Sequence, residues 1–71
     1  MSPAVRLSKD DRAILKRILE GWRPLRAQIV SGTRLMNRGL LRLNWGPQGT
    51  PDENKMCWYL TKLGEAEARK P

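Results

Sequence analysis

Residues 56–64 read Met56-Cys57-Trp58-Tyr59-Leu60-Thr61-Lys62-Leu63-Gly64, and they change from a strand pattern to a helix pattern at Thr61. Apolar side chains occupy every second position up to Leu60, which is typical of a strand with one buried face. Thr61 can cap a helix over residues 62–70, whose acidic residues lie nearer its start and whose basic residues lie at its end. The segment therefore predicts a strand that runs directly into a helix.

A second alternating stretch lies upstream and reads Leu41-Arg42-Leu43-Asn44-Trp45. The segment between the two stretches, residues 46–55, is Gly-Pro-Gln-Gly-Thr-Pro-Asp-Glu-Asn-Lys and is dense in residues that form turns. Two strands joined by such a segment predict an antiparallel β-hairpin, and we expect its tip to be open and mobile.

The first helix is predicted over residues 9–20. Ser8 is a good N-cap, Asp10 and Asp11 place negative charge in the first turn, and Gly21 follows as a C-cap. Apolar residues recur at steps of three and four, at Ile14, Leu15, Ile18, Leu19 and Trp22.

Residues 25–38 allow two interpretations. Apolar and small residues at steps of four, three and four fit one continuous helix. However, Ser31-Gly32 is a turn-like pair, and glycine inside a helix costs ~1 kcal/mol relative to alanine. The alternative is a short extended or helical piece up to Val30, followed by a new helix from Ser31 or Gly32. Both interpretations make residues 33–38 helical and end that helix at Gly39.

The composition limits the class of protein. The chain has 71 residues, enough for one domain, which we place at residues 8–70 behind a flexible basic arm of residues 1–7. Because no apolar run could span a membrane and no secretory signal is visible, we expect a cytoplasmic protein. One cysteine, no histidine and no catalytic or nucleotide-binding motif predict no metal, no cofactor and no enzymatic activity.

Two motifs resemble those of winged helix-turn-helix domains. Arg38-Gly39-Leu40-Leu41 is similar to the end of a recognition helix entering its first wing strand. The junction from Trp58 to Ala68 resembles the Y-x-L-T-x-x-G pattern of MarR- and PadR-like regulators, with Tyr59, Leu60, Thr61 and Gly64 as the matching residues. Tyrosine here directly precedes leucine, so the junction is one residue tighter than in that pattern.

The resemblance implies an α+β fold: a small winged helix with a first helix, a short helix or helix pair, a two-stranded wing and a C-terminal helix. Only residues 21–38 separate the first helix from the wing, so the second helix is very short or missing. This departure resembles the compact winged helices common in bacteriophages and prophages. It implies a small transcriptional regulator in a bacterial or phage-infected cell, associated with the nucleoid if it binds DNA.

The charge of the chain is concentrated in its middle. The net charge is +7, and between Gly21 and Pro51 there are five arginines and neither Asp nor Glu. Such a segment favours a polyanion, and we expect duplex DNA. The predicted nucleic-acid-binding residues are Arg23, Arg26, Gln28, Ser31, Thr33, Arg34, Asn37, Arg38, Arg42 and Lys55.

The tryptophans and the cysteine are interpreted as structural residues. Trp22, Trp45 and Trp58 could stack on bases, but they lie in apolar phase on their elements, so we assign them to the core. Cys57 is interpreted as a half-buried structural thiol.

Two alternatives to DNA binding stay open. A winged helix can serve as a protein-interaction module, here a phage-encoded one that docks its basic face on an acidic host protein. RNA is also a polyanion, and charge alone does not separate it from DNA. The last helix is short and mostly polar, so a monomer and a weak homodimer are equally expected.

Overall fold

The computed structural model of the chain describes residues 7–70. Residues 1–6, which make up most of the predicted arm, lie outside the described part, whereas Leu7 packs against the core. The described residues form an α+β arrangement of three α-helices, one short 3₁₀ helix and a two-stranded antiparallel sheet. In chain order these are α1 (Lys9–Leu19), the 3₁₀ helix (Arg26–Gln28), α2 (Gly32–Asn37), β1 (Leu41–Trp45), β2 (Met56–Leu60) and α3 (Lys62–Ala68).

Helix α1 begins at the predicted residue and ends at Leu19, one residue before the predicted end, with Glu20 as its C-cap. The hydroxyl of Ser8 accepts a hydrogen bond of 3.1 Å from the backbone N–H of Asp11, which satisfies one of the free donors of the first turn. At the other end the N–H of Gly21 donates to the carbonyl of Ile18 and the N–H of Trp22 donates to that of Arg17. This pair of bonds is the Schellman motif that ends many helices.

The middle of the chain follows the second of the two interpretations, a short piece and then a new helix. The 3₁₀ helix occupies Arg26–Gln28, and α2 begins only at Gly32. At its end, Gly39 has a φ of +79°, which suits a residue without a Cβ, and Leu40 donates from its N–H to the carbonyl of Leu35. The predicted stop at Gly39 is therefore confirmed.

The two strands pair in the predicted hairpin. Leu41 lies opposite Leu60, Leu43 opposite Trp58, and Trp45 opposite Met56, so these alternating apolar residues share one face. On its other edge β2 meets the chain around Pro24, whose carbonyl accepts a 2.9 Å hydrogen bond from the N–H of Trp58. An isolated bridge between Leu25 and Cys57 extends this contact.

The loop between the strands is folded back on itself, so the expectation of an open tip was wrong. The N–H of Gly46 donates to the carbonyl of Lys55 at 2.8 Å and closes the base of the loop. Within the loop, the hydroxyl of Thr50 donates to the carbonyl of Pro47 at 2.7 Å and accepts from the N–H of Asp52 at 3.3 Å. Through these bonds, backbone groups of the loop find hydrogen-bond partners within the protein.

The core lies between α1, α3 and the inner face of the hairpin. Its buried members are Leu15, Ile18, Ile29, Leu35, Leu40, Leu41, Trp58 and Ala68. Trp58 is 1% exposed and Trp22 packs on the edge of the core, as predicted, but Trp45 is 59% exposed, and its assignment to the core was wrong. Cys57 is fully buried rather than half-buried, and the chain at Leu25 pairs with the edge of β2 at this position.

Helix α3 is locked to the start of β1 at one close contact. The hydroxyl of Thr61 accepts from the N–H of Gly64 at 2.9 Å and donates to the carbonyl of Gly39. Gly64 lies so close to the carbonyl oxygen of Leu40 that a Cβ at this position would overlap it. The helix ends at Ala68, two residues before the predicted end, which is ordinary fraying of a helix boundary.

Candidate nucleic-acid interface

Helix α2 presents one face to solvent and one to the core. Leu35 is completely buried and Met36 is half-buried, which anchors the helix. The side that points outward is polar and basic, and all of its members are exposed: Thr33, Arg34, Asn37 and Arg38. The prediction that positions 34, 37 and 38 share one face is therefore confirmed, since all three are exposed.

Arg34 is held by an ion pair that the sequence did not predict. Its Nη2 atom donates to both carboxylate oxygens of Asp11, each at 2.9 Å. The side chain of Asp11 is 5% exposed and that of Arg34 is 56% exposed, so the acid is buried beneath a surface arginine. Asp11 was expected to act only on the dipole of α1, and no sequence signal connects positions 23 residues apart.

Three of the predicted residues line one shallow groove. Gln28, Ser31 and Arg34 contribute to its wall, and the first turn of α1 supplies the opposite side, including Asp10 and Asp11. The groove has a volume of about 320 Å³. One hydrogen-bonding group of Gln28 is already used within the protein, because its side-chain oxygen accepts a 2.6 Å hydrogen bond from the N–H of Leu25.

Arg23 and Arg42 belong to a separate cluster around Tyr59. The guanidinium carbons of Arg23 and Arg42 lie 4.7 Å and 5.2 Å from the centre of the tyrosine ring, within the range of cation–π attraction. Arg23 also donates from Nη1 to the backbone carbonyls of Ile18 and Trp22 at 3.1 and 2.9 Å. Tyr59 is fixed in turn, because its hydroxyl donates to the carbonyl of Trp45. Arg23 is therefore a packed residue as well as a charged one, and Tyr59 lies between the two arginines although it was not among the predicted binding residues.

The remaining predicted residues are single exposed cations. Arg26 lies in the 3₁₀ helix, where its backbone carbonyl accepts a 3.1 Å hydrogen bond from the indole N–H of Trp58. Lys55 lies at the base of the hairpin loop with its ammonium 3.8 Å from the carboxylate of Asp52, an exposed pair that leaves its charge largely solvated.

Cys57 is buried in the core. Burial raises the pKa of the Cys57 thiol, the carboxylate of Asp52 raises it further, and Arg23 and Lys55 oppose this only in part. A thiol held protonated and without solvent access is a poor nucleophile. Within residues 7–70 no group of three or more His, Cys, Asp or Glu side chains is placed to hold a metal ion.

The geometry thus divides the predicted residues into the exposed face of α2, the groove beside it, and the tyrosine-centred cluster on the hairpin. In the described part of the chain, no helix is long and apolar enough to cross a membrane. Comparison with the models of known protein families, with curated proteins and with solved structures found no match for this chain.

Proposed function

We propose that the chain is a compact winged helix-turn-helix domain that binds duplex DNA, with α2 as its recognition helix. The observation that carries this proposal is the exposed face of α2, where Thr33, Arg34, Asn37 and Arg38 stand outward from a segment without acidic residues. Arginine and asparagine are the side chains that most often contact guanine and adenine edges in the major groove.

The element order supports the fold part of the proposal. The 3₁₀ helix Arg26–Gln28 takes the place of a second helix, α2 follows after a short turn, and the hairpin follows α2 as a wing. The chain at Pro24 and Leu25 also pairs with the free edge of β2. This order of elements is the one expected of a winged helix whose second helix is reduced to a single turn.

The length of α2 limits the number of base pairs that it can contact. Six residues span about 9 Å at ~1.5 Å per residue, so the helix reaches only a few base pairs in the major groove. Phosphate contacts from arginines outside α2, such as Arg26 and Arg42, then supply much of the affinity. In this proposal the domain is a small transcriptional regulator, acting as a monomer or weak dimer.

Binding is tested by fluorescence polarisation with a labelled mixed-sequence duplex of about two helical turns, in salt from about 0.05 to 0.5 M. We expect affinity to fall with salt, with a slope of about −0.9 for each phosphate contact. The variant Arg38→Gln/Arg42→Gln should lose at least about tenfold in affinity and flatten the slope, because one position lies on α2 and the other on β1.

The matched control is Lys9→Gln/Lys62→Gln, which removes the same charge from two exposed positions outside the proposed interface. It should change affinity by less than about threefold. Equal losses in both variants would mean that binding depends on total charge and not on this surface. Absence of binding by the unmodified chain at low salt would contradict the function itself.

A second candidate is a protein-interaction module, and one observation favours it. Val30, at the turn before α2, is completely exposed, and Trp45 protrudes from the hairpin. Exposed apolar side chains of this size are common at protein contacts. If the duplex does not bind, this candidate becomes the leading one.

A further inference from the structure

We infer that Asp11 is a positioning residue, which holds Arg34 as a reader of a guanine edge and not as a phosphate clamp. The inference rests on the proposed DNA binding and deepens it, because it assigns a specificity-determining pair to the same surface. It starts from the contact between α1 and α2, where the Nη2 atom of Arg34 donates to Oδ1 and Oδ2 of Asp11 at 2.9 Å.

The contact is asymmetric in burial. Asp11 is fixed beneath the surface, and its own backbone N–H is bound to the hydroxyl of Ser8, so the carboxylate has little freedom to move. Arg34 keeps more than half of its side chain in solvent. A buried anchor and an exposed guanidinium are the arrangement expected of an arginine that is oriented before its ligand arrives.

The donors that remain point to the chemistry. A guanidinium has five N–H donors, and the Asp11 contact uses only Nη2. Among the described residues no further hydrogen bond engages Nε or Nη1 of Arg34, and more than half of the side chain is exposed. These two atoms lie on different edges of the guanidinium, so each can donate one bond to a single acceptor. Guanine offers two acceptors, O6 and N7, in the major groove, and arginine is its commonest specific partner.

The charge of the pair decides between a base and a phosphate. The carboxylate of Asp11 compensates the guanidinium at 2.9 Å, and Asp10 lines the same groove, so a phosphate would meet two anions beside one cation. Base edges are uncharged acceptors and suffer no such repulsion. Arg34 therefore suits a base edge.

Pre-orientation also explains why a buried acid is tolerated at this position. A free arginine must lose the freedom of its long side chain on binding, but Arg34 has already lost it on folding. The benefit appears as discrimination between bases, because a fixed guanidinium cannot swing to a phosphate when the guanine is replaced.

The test begins with selection of duplexes from a randomised pool by the unmodified protein. Affinities are then measured for the selected duplex and for versions with each guanine replaced by adenine. We expect one guanine whose replacement costs about tenfold. In Asp11→Asn and in Arg34→Lys this penalty should fall below about threefold.

Glu20→Gln is the control, since it changes the net charge equally, is exposed at the other end of α1 and lies outside the groove. Circular dichroism fixes the folded fraction of each variant. A purely structural role of Asp11 would weaken binding to all duplexes alike and keep the tenfold guanine preference, which would overturn the inference. The inference would also be overturned if no guanine replacement in the selected duplex affected the unmodified protein and Arg34→Lys differently. If the unmodified chain selects no duplex, the proposed function itself fails.

Discussion

At the scale of single residues, Asp10 and Asp11 show how position on a helix separates two identical side chains. Both stand in the first turn of α1, where negative charge is favourable. Successive helical residues are rotated by about 100°, so Asp10 is exposed while Asp11 points inward and is 3% exposed. A carboxylate in that place needs a cation, and Arg34 supplies it.

Ionisation of the Cys57 thiol should make the stability of the fold depend on pH. Because burial and the Asp52 carboxylate raise the pKa of its thiol in the folded state, the unfolded chain releases the thiol proton first as pH rises. The contribution of the thiol to stability is full below the ordinary thiol pKa of about 8.5 and is lost as pH rises toward the folded pKa. The free energy of unfolding should therefore fall between neutral and alkaline pH.

The measurement is urea unfolding of the unmodified chain and of Cys57→Ala at a series of pH values. The two proteins differ only at residue 57, so the effects of all other groups cancel in the comparison. The unmodified chain should lose stability more steeply on the alkaline side than the variant. Parallel curves for the two proteins would show that the thiol ionises equally in both states.

At the scale of elements, the sequence predicted what periodicity and caps determine. The ends of α1, the pairing of the hairpin and the stop at Gly39 follow from local chemistry, since capping bonds and alternation act within a few residues. Alternation places Trp45 on the same face as Leu41, but it does not tell how far the core extends beneath that face. The core ends before Trp45, so the residue is exposed although its phase is correct.

The candidate site was predictable only in part for the same reason. The outward face of α2 follows from helical spacing, whereas the Asp11–Arg34 pair and the packing of Arg23 on Tyr59 join elements distant in sequence. Such contacts depend on how α1, α2 and the hairpin are placed against each other. Local patterns carry no information about that placement, and this is why the five arginines, one cluster in the sequence, divide into separate groups in space.

The close packing of α3 on the start of β1 should make the stability of the fold sensitive to a substitution at Gly64. Gly64→Ala should destabilise the domain by more than about 2 kcal/mol, even though alanine is the better helix former by ~1 kcal/mol. The added Cβ would overlap the carbonyl oxygen of Leu40, so α3 must move away from β1 and weaken the Thr61 contact with Gly39. The urea midpoint of this variant measures the effect.

Lys62→Ala, an exposed change in the same helix, serves as the control and should alter stability by less than ~0.5 kcal/mol. If Gly64→Ala proves neutral or stabilising, the close approach of α3 to Leu40 is not a constraint on the fold.

At the scale of the whole molecule, the net charge of +7 acts on folding and on binding in opposite directions. The excess of positive charge is confined to a small molecule, with a radius of gyration of 12.2 Å. That radius is close to the screening length of ~10 Å at 0.1 M salt, and much shorter than the ~30 Å at 0.01 M. Folding at low salt therefore works against a repulsion that added salt removes.

Raising sodium chloride from about 0.01 to 0.3 M should thus increase the urea midpoint while it weakens DNA binding. Salt also screens the attractive pairs, but those between Arg69 and Glu65 and between Lys55 and Asp52 are exposed and worth at most ~1 kcal/mol each. The relief of repulsion should therefore exceed their loss. The variant Lys9→Gln/Lys62→Gln, whose net charge falls from +7 to +5 because two lysines are lost, should gain less stability from salt. A midpoint that falls with salt would mean that the ion pairs, and chiefly Arg34 with the buried Asp11, contribute more to the fold than the net charge takes away.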